Sequence, residues 1–430
     1  MGGGVSKDDG PLIMEELNAI YCTSKSDDEM LMKVRSVIKK HGSEKARPTT
    51  PSTVNGDSMS FIESRSNSIK SNMTGAVTPP VLFEQSPVVP QEAAAPAAAA
   101  APEEPWLNRD EDELFDELKA WLEEHDIDDI DAHDLPACEE ADISDKELDS
   151  LPDSLCLLGD SVLEFALEKN NLQHINNIQI GKFTCLTELY LRDNQITELP
   201  KAIGDCEALD SLYLENNLLT SLPAELGNLK NLKGLCLHRN QFVVAPASIF
   251  ECTSLEELYL DGNCIAGELP PEVGKLVNLK ELGLANNKMG PSFPETIGSL
   301  KHLHTLHAEH NQYSELPKNF GKLKSMRRLY LNNCLLTKLH ACIGKCPKME
   351  VINVENNKIE KMAKRIKDLP LLRFLLLENN RLAALPFNPL ESAPGLRRLS
   401  LAGNQLDADT MKLQKMDAVE AIGEEGEEED

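Results

Sequence analysis

A block of 23 residues, LTELYLRDNQITELPKAIGDCEA, runs from Leu186 to Ala208 and is then rewritten along the chain. Further copies begin at Leu209, Leu232, Leu255, Leu279, Leu303, Met326, Met349, Leu372 and Leu396. Another starts at Val162, and a worn one fits from Cys138, with Ala141, Ile143 and Leu148 in the apolar places. Steps between starts are 23 or 24 residues. Self-similarity at such a period points to stacked units, because one unit of this length cannot cover its own apolar face.

The skeleton is LxxLxLxxNxL followed by xxLPxxIGxLxx. Within LYL or LCL the apolar residues alternate, so a short strand turns two side chains inward and the others outward. The ninth place holds Asn170, Asn194, Asn217, Asn240, Asn263, Asn287, Asn311, Asn357, Asn380 and Asn404. An amide offers donors and an acceptor to backbone groups that no ladder reaches. Cys334 takes that place once, and a thiol is a poorer partner, which predicts a looser turn there. The LPxxIGxL half is expected outside as a 3₁₀ turn or short helix, opened by Pro and ended by Gly.

This skeleton resembles the leucine-rich repeat family over roughly two-thirds of the chain. The resemblance implies an α/β solenoid of about 12 repeats, with a curved parallel sheet and short helices or 3₁₀ turns on the convex side. At about 4.8 Å per strand, twelve coils extend roughly 55 Å. LTSLPAELGNLKNLKGLCLHRNQF, from Leu219, is similar to the intracellular Ras-group-related subclass. That subclass includes plant proteins and an animal scaffold of the Ras–MAP-kinase pathway. Membership implies a non-enzymatic adaptor that gathers protein partners on its concave face, in the animal case a Ras-type small GTPase and a protein phosphatase. Two 24-residue repeats, from Leu255 and Leu279, carry GELPPEVGKL and GPSFPETIGSL and are instead similar to the plant receptor type.

Charge is distributed unevenly. The net charge of −28 divides into −4 over residues 1–104, −18 over 105–161, zero over 162–423 and −6 in the last seven residues. The repeats are therefore neutral as a whole, and no basic stripe suited to nucleic acid is present. There are 11 cysteines and no secretory leader pattern at the start, which predicts a cytoplasmic protein. Cys206, Cys252 and Cys346 stand where other repeats have the buried Leu of IGxL and read as small core residues. No apolar run approaches the length of a spanning helix.

Ahead of the repeats, residues 1–47 begin MGGGVSK, in which Gly2 fits the N-myristoylation pattern. One acyl chain holds a membrane only marginally. Met30 to Arg47 supplies six basic residues against one acid, with Leu31, Val34, Val37 and Ile38 at helical spacing. Such a segment suits an anionic membrane surface or a partner protein, or docks on the chain's own body. Residues 48–104, rich in Pro, Ser, Thr and Ala, read as a disordered linker with phosphorylation candidates Thr50, Ser68, Thr78 and Ser86. Residues 105–137 carry Leu107, Leu114, Leu118, Trp121 and Leu122 along one helical face, a cap for the first coil of the solenoid at 138–408 or an acidic partner-binding helix. The DIDDIDAHD stretch lacks the central Gly and terminal Glu of a calcium loop. Residues 409–430 read as a closing helix, capped by Asp409 or Thr410, and an acidic tail.

The fifth place of the repeat faces outward in mid-strand. It reads Ala166, Tyr190, Tyr213, Cys236, Tyr259, Gly283, His307, Tyr330, Asn353, Leu376 and Ser400. Four of the six tyrosines fall there; Tyr313 occupies an inward place. Tyrosines on an open face give large contact area at low rotamer entropy; the competing explanation is rings packing on one another for stability. Flanking columns add Glu164, Glu188, Arg192, Glu215, His238, Arg239, Glu257, Asp261, Glu281 and Glu309 early, then Arg327, Arg328, Arg373, Arg397 and Arg398 late. The expected protein-binding set is Tyr190, Tyr213, Tyr259, Tyr330, Arg192, His238, His307 and Arg328, on a face acidic at one end and basic at the other.

His302, His304, His307 and His310 lie within nine residues, but HExxH is absent, so no metal site is assigned and a patch charging near pH 6 is the chemical alternative. No P-loop, GxSxG elbow, kinase signature or CxxC pair occurs. The sequence thus predicts a scaffold without catalytic residues or cofactor, the alternatives being a regulatory subunit of a protein phosphatase or a structural ciliary or cytoskeletal protein.

Overall fold

The computed structural model describes residues 110–127, 130, 135, 138–159, 161–175, 180–388, 395–408 and 410. Gly2, Thr50, Ser68, Thr78, Ser86, Leu107, the basic segment and the acidic tail lie outside them.

Twelve short strands form one parallel sheet in strict chain order. Among them Glu188–Tyr190, Ser211–Tyr213, Gly234–Cys236 and Glu257–Tyr259 are successive neighbours. Each pairs with the next at identical repeat positions, so Leu189, Leu212, Leu235 and Leu258 stand in one row. The worn first repeat forms a strand as well, Glu140–Asp142, paired to Glu164–Ala166. Leu189, Leu191, Leu212 and Leu214 are fully buried, and one continuous apolar cluster extends from Leu118 to Leu406. Each such leucine contributes about 1.5–3 kcal/mol on leaving water, and it does so only because the coils on either side enclose it.

The helix Glu111–Glu124 stands before the first coil. Asp110 caps it by accepting from the Asp112 N–H at 3.3 Å, and three acids in its first turn favour the helix dipole. Leu114, Leu118 and Leu122, four residues apart, are its buried face, set against the turn Asp153–Leu158.

Opposite the sheet the chain runs through 3₁₀ turns. Pro200, Pro223, Pro246, Pro270, Pro294 and Pro317 each stand immediately before one, in extended conformation. The glycine of IGxL does not end the turn, as the sequence suggested, but lies inside it. In Glu295–Ser299 a Cβ on Gly298 would sit 2.6 Å from the carbonyl oxygen of Asn319 in the next coil. Close passage of the neighbouring backbone, not chain reversal, demands glycine here. At the far end, the Thr410 N–H donates to the Asp407 carboxylate at 2.8 Å, and Asp409 and the rest of the closing segment lie outside the described residues.

The buried asparagines knit the coils together. Asn217 donates through Nδ2 to the carbonyls of Leu191 at 2.9 Å and Leu214 at 3.1 Å, and its Oδ1 accepts from the Ile196 N–H at 2.9 Å. Asn240 repeats this with Leu214, Leu237 and Leu219. Cys334 retains one weak counterpart, its Sγ donating to Ala308 at 3.4 Å. It is nonetheless buried, so the substitution thins the ladder without opening the coil.

A second requirement escaped the sequence reading. The eighth place, just before the ladder asparagine, is left-handed in every repeat from Lys169 (φ 56°) to Gly403 (φ 72°). This residue swings the chain off the strand. Asn, Asp or Gly fills most such places, as αL sterics favour, while Lys169, Arg239 and His310 adopt the conformation against preference. Two small parallel pairs lie beside the main sheet, Ala266–Gly267 with Lys288–Met289 and Lys338–Leu339 with Lys361–Met362, so the feature is not special to the two 24-residue repeats.

Candidate functional site

The strand row places the third, fifth and seventh positions of each repeat side by side on the concave face. Exact register is what turns repeat columns into surface columns: Tyr190, Tyr213, Cys236, Tyr259 and Gly283 are directly opposed along the sheet. All four column tyrosines, with Arg192, His238 and His307, are half-buried, and Arg328 is exposed. Solvent reaches each of them. Tyr313 is fully buried, stacked on Phe293 at 4.0 Å.

Ring packing and exposure coexist. Tyr190 and Tyr213 stack with centroids 4.7 Å apart and planes within 4°, and His307 stacks on Tyr330 at 4.6 Å. Tyr190 donates its hydroxyl to Glu188, and Tyr259 donates to Glu281 at 2.7 Å. Both phenols are raised above their usual range, by burial first and then by these carboxylates. The rings are thereby held in place before any partner arrives, which lowers the entropic cost of binding.

Arg192 is engaged within the molecule. Its guanidinium pairs with Glu168, Nη2 donating to Oε1 at 2.8 Å while Nε lies 2.5 Å from Oε2 without a hydrogen bond of good angle. It therefore braces two coils and neutralises one acid instead of standing out as an isolated cation. Next to it the face is short of positive charge. Glu215 is only 8% exposed and its Oε2 has no hydrogen-bond partner. Burial pushes its carboxyl up to about 7, with Arg192 opposing and Asp193 adding to the rise. Asp261 likewise rises to about 7 by burial, although its Oδ1 accepts from the Ala285 N–H at 2.7 Å. A Cβ on Gly283 would strike that carboxylate and crowd the Tyr259 ring, so the bare position is what lets both lean across it.

The histidines do not titrate as one patch. Burial lowers His304 and His310. For His307 burial also opposes protonation, but Glu309, with Nδ1–Oε1 at 3.5 Å, and the charges of Asp261 and Glu281 outweigh it and raise the pKa. Among the described residues no group of three His, Cys, Asp or Glu side chains is placed to hold a metal ion. The sequence reading missed the buried Glu215 and the half-buried Asp261 as the electrostatically unusual members of the face. Their only sequence signal was a carboxylate at an outward place between small or aromatic neighbours.

A sheet of this register, backed by 3₁₀ turns and stitched by asparagines, defines a solenoid whose one open face is built from strand side chains. The chain belongs to the leucine-rich repeat family: the model of the leucine-rich repeat region matches residues 142–268 and 264–386, more than half of it. No curated protein matches the chain in sequence. Among solved structures it is similar to the plant peptide hormone receptor RGFR1 in complex with RGF2, at 26% identity and TM-score 0.53, covering 60% of this chain and 42% of the receptor. PEPR1 with AtPEP1 is similar at 29% identity and TM-score 0.52, covering 60% and 37%. An internalin of Listeria monocytogenes shares the fold at 21% identity and TM-score 0.59, covering 70% and 84%. The chain thus spans about two-fifths of the receptor chains it resembles.

Proposed function

We propose that this protein is a non-enzymatic interaction scaffold of intracellular signalling that holds a protein partner on the concave face between Tyr190 and Tyr330. The observation that carries the reading is the row of half-buried tyrosines, fixed by stacking and hydroxyl bonds yet reachable by solvent. Prearranged aromatic area beside unsatisfied carboxylates is what a protein-binding face needs. RGFR1 and PEPR1, solved with RGF2 and AtPEP1, support a peptide or protein as the ligand class. The LPxxIGxL spacing favours the Ras-group subclass, and with it a Ras-type small GTPase or a protein phosphatase as partner. The acidic first half and the exposed Arg328, Arg373, Arg397 and Arg398 orient such a partner along the face.

Affinity capture from native lysate with the full chain, compared with Tyr190→Ala, Tyr213→Ala and Tyr259→Ala combined, tests the reading. Partners bound by the wild type should be lost from the triple variant, phosphatase activity in the eluate marking that class. An identical set of partners would refute the face. In the same reading Gly2 is acylated and tethers the scaffold to the cytoplasmic side of a membrane. Gly2→Ala should then leave the lipid fraction in flotation; unchanged flotation would refute the tether.

A further inference from the structure

The concave face is uneven in one informative place. Across the sheet, the third positions run Ser211, Gly234, Glu257 and the fifth run Tyr213, Cys236, Tyr259. The middle strand, Gly234–Cys236, therefore carries almost no side-chain bulk between two tyrosine-bearing strands. The flanking rings also lean away from it. Tyr213 stacks back on Tyr190, and Tyr259 reaches forward over Gly283 to bond Glu281. Gly234 and Cys236 are both half-buried, so solvent enters the resulting notch.

Carboxylates line this notch. At one corner Glu215, buried to more than nine-tenths, keeps Oε2 without a partner, and beside it the Oδ1 of Asn216 is buried and unpartnered too. Two neighbouring donors are spent elsewhere. Arg192 is committed to Glu168, and the Asn216 amide is spent on Asp193 at 2.8 Å. Across the notch stand Glu257 and Asp261, with His238 in the seventh place of the middle strand. The Cys236 thiol on the floor of the notch is raised by burial first and then by Glu215, Glu257 and Asp261, so the negative field of all three acids converges there.

We propose that the notch over Gly234–Cys236 is the seat of one arginine side chain from an extended segment of the partner protein, its guanidinium set against the Glu215 carboxylate between Tyr213 and Tyr259. This rests on the concave face being the binding face. Arginine fits better than lysine for two reasons. Its planar fork can grip the Glu215 carboxylate with two parallel N–H groups, and the same plane can lie against a tyrosine ring. The charge arrives where the field of three acids converges, so it supplies register for the segment as well as affinity.

The test uses the full chain and three fluorophore-labelled nonapeptides of Gly and Ser with one central residue: arginine, lysine or the uncharged isostere citrulline. Anisotropy titrations should show the arginine peptide binding about tenfold more tightly than citrulline, the scale of a charge-assisted hydrogen bond. Glu215→Gln, which keeps shape and removes one charge, should bring the two peptides to about equal affinity, because one acid in a chain of net −28 changes little by general attraction. Cys236→Tyr, which fills the notch with the residue of the neighbouring repeats, should remove the arginine preference by a second route. Equal binding of arginine and citrulline to the wild type would overturn the seat, as would a preference that survives Glu215→Gln. A partner lost on the triple tyrosine change but held by Glu215→Gln and Cys236→Tyr would overturn only the seat, leaving the binding face intact.

Discussion

Asn240→Ala should cost about 3–5 kcal/mol in urea unfolding, because three buried backbone groups lose their partner at once. The Leu219 N–H loses the Oδ1 acceptor at 3.0 Å, and the Leu214 and Leu237 carbonyls lose Nδ2 at 2.9 and 3.1 Å. Water cannot readily replace the amide, since Leu214, Leu219 and Leu237 are fully buried. The loss should spread to the preceding coil, because Leu214 and Leu219 belong to that repeat. Cys334→Asn runs the comparison backwards. There a thiol bonds one carbonyl at 3.4 Å, and restoring the amide should stabilise by about 1 kcal/mol, one ordinary buried hydrogen bond. Urea midpoints shifted by less than the equivalent of about 1 kcal/mol in Asn240→Ala would mean that the ladder is incidental to the stack.

Glu215→Gln should make the protein more stable at pH 8 by about 3 kcal/mol and leave it unchanged near pH 4. The sign follows from the carboxyl's rise to about 7 from its ordinary 4.5. The folded chain holds this proton more tightly than the unfolded chain. The associated stability is therefore complete below about 4.5 and is lost as the pH climbs through 7. Glutamine never ionises, so the variant escapes that loss. Asp261, also raised to about 7, still titrates in the variant and should preserve part of the slope. Thermal unfolding of both proteins from pH 4 to 8 reads the difference directly. Parallel curves would show that Glu215 is already paired in solution, and the electrostatic reading of the face would fall with it.

A protein that keeps a destabilising buried carboxylate on its open face carries a feature that stability alone does not explain. The tyrosines are different: stacking of Tyr190 on Tyr213 and of His307 on Tyr330 stabilises the sheet and presents contact area at once. The two explanations weighed for that column are therefore not exclusive.

The fold was legible because the apolar period is strict, and register follows from it: Leu189, Leu212 and Leu235 oppose one another as their identical places require. Even the worn first repeat could be placed from Ala141, Ile143 and Leu148 alone. What stayed hidden depends on contacts between coils. The IGxL glycine looked like a terminator because its true constraint, the carbonyl of Asn319 against Gly298, belongs to the following repeat. The left-handed eighth place was masked by Lys169 and Arg239, whose side chains give no hint of the backbone beneath. At the site, sequence placed the tyrosines correctly on one face but showed Arg192 as a free cation, since its pairing with Glu168 spans 24 residues. Glu215 looked like one surface acid among many until its burial and its unpartnered oxygen set it apart.

The most direct test of the central claim is site-specific photocrosslinking in native lysate. A benzophenone amino acid replaces Tyr213 on the concave face in one protein, and in another Lys318, exposed at the start of the turn Lys318–Lys322 on the opposite side. Irradiation should yield a defined protein adduct from position 213 and none from position 318. Adducts from 318 alone would place the working surface on the convex side and contradict the account.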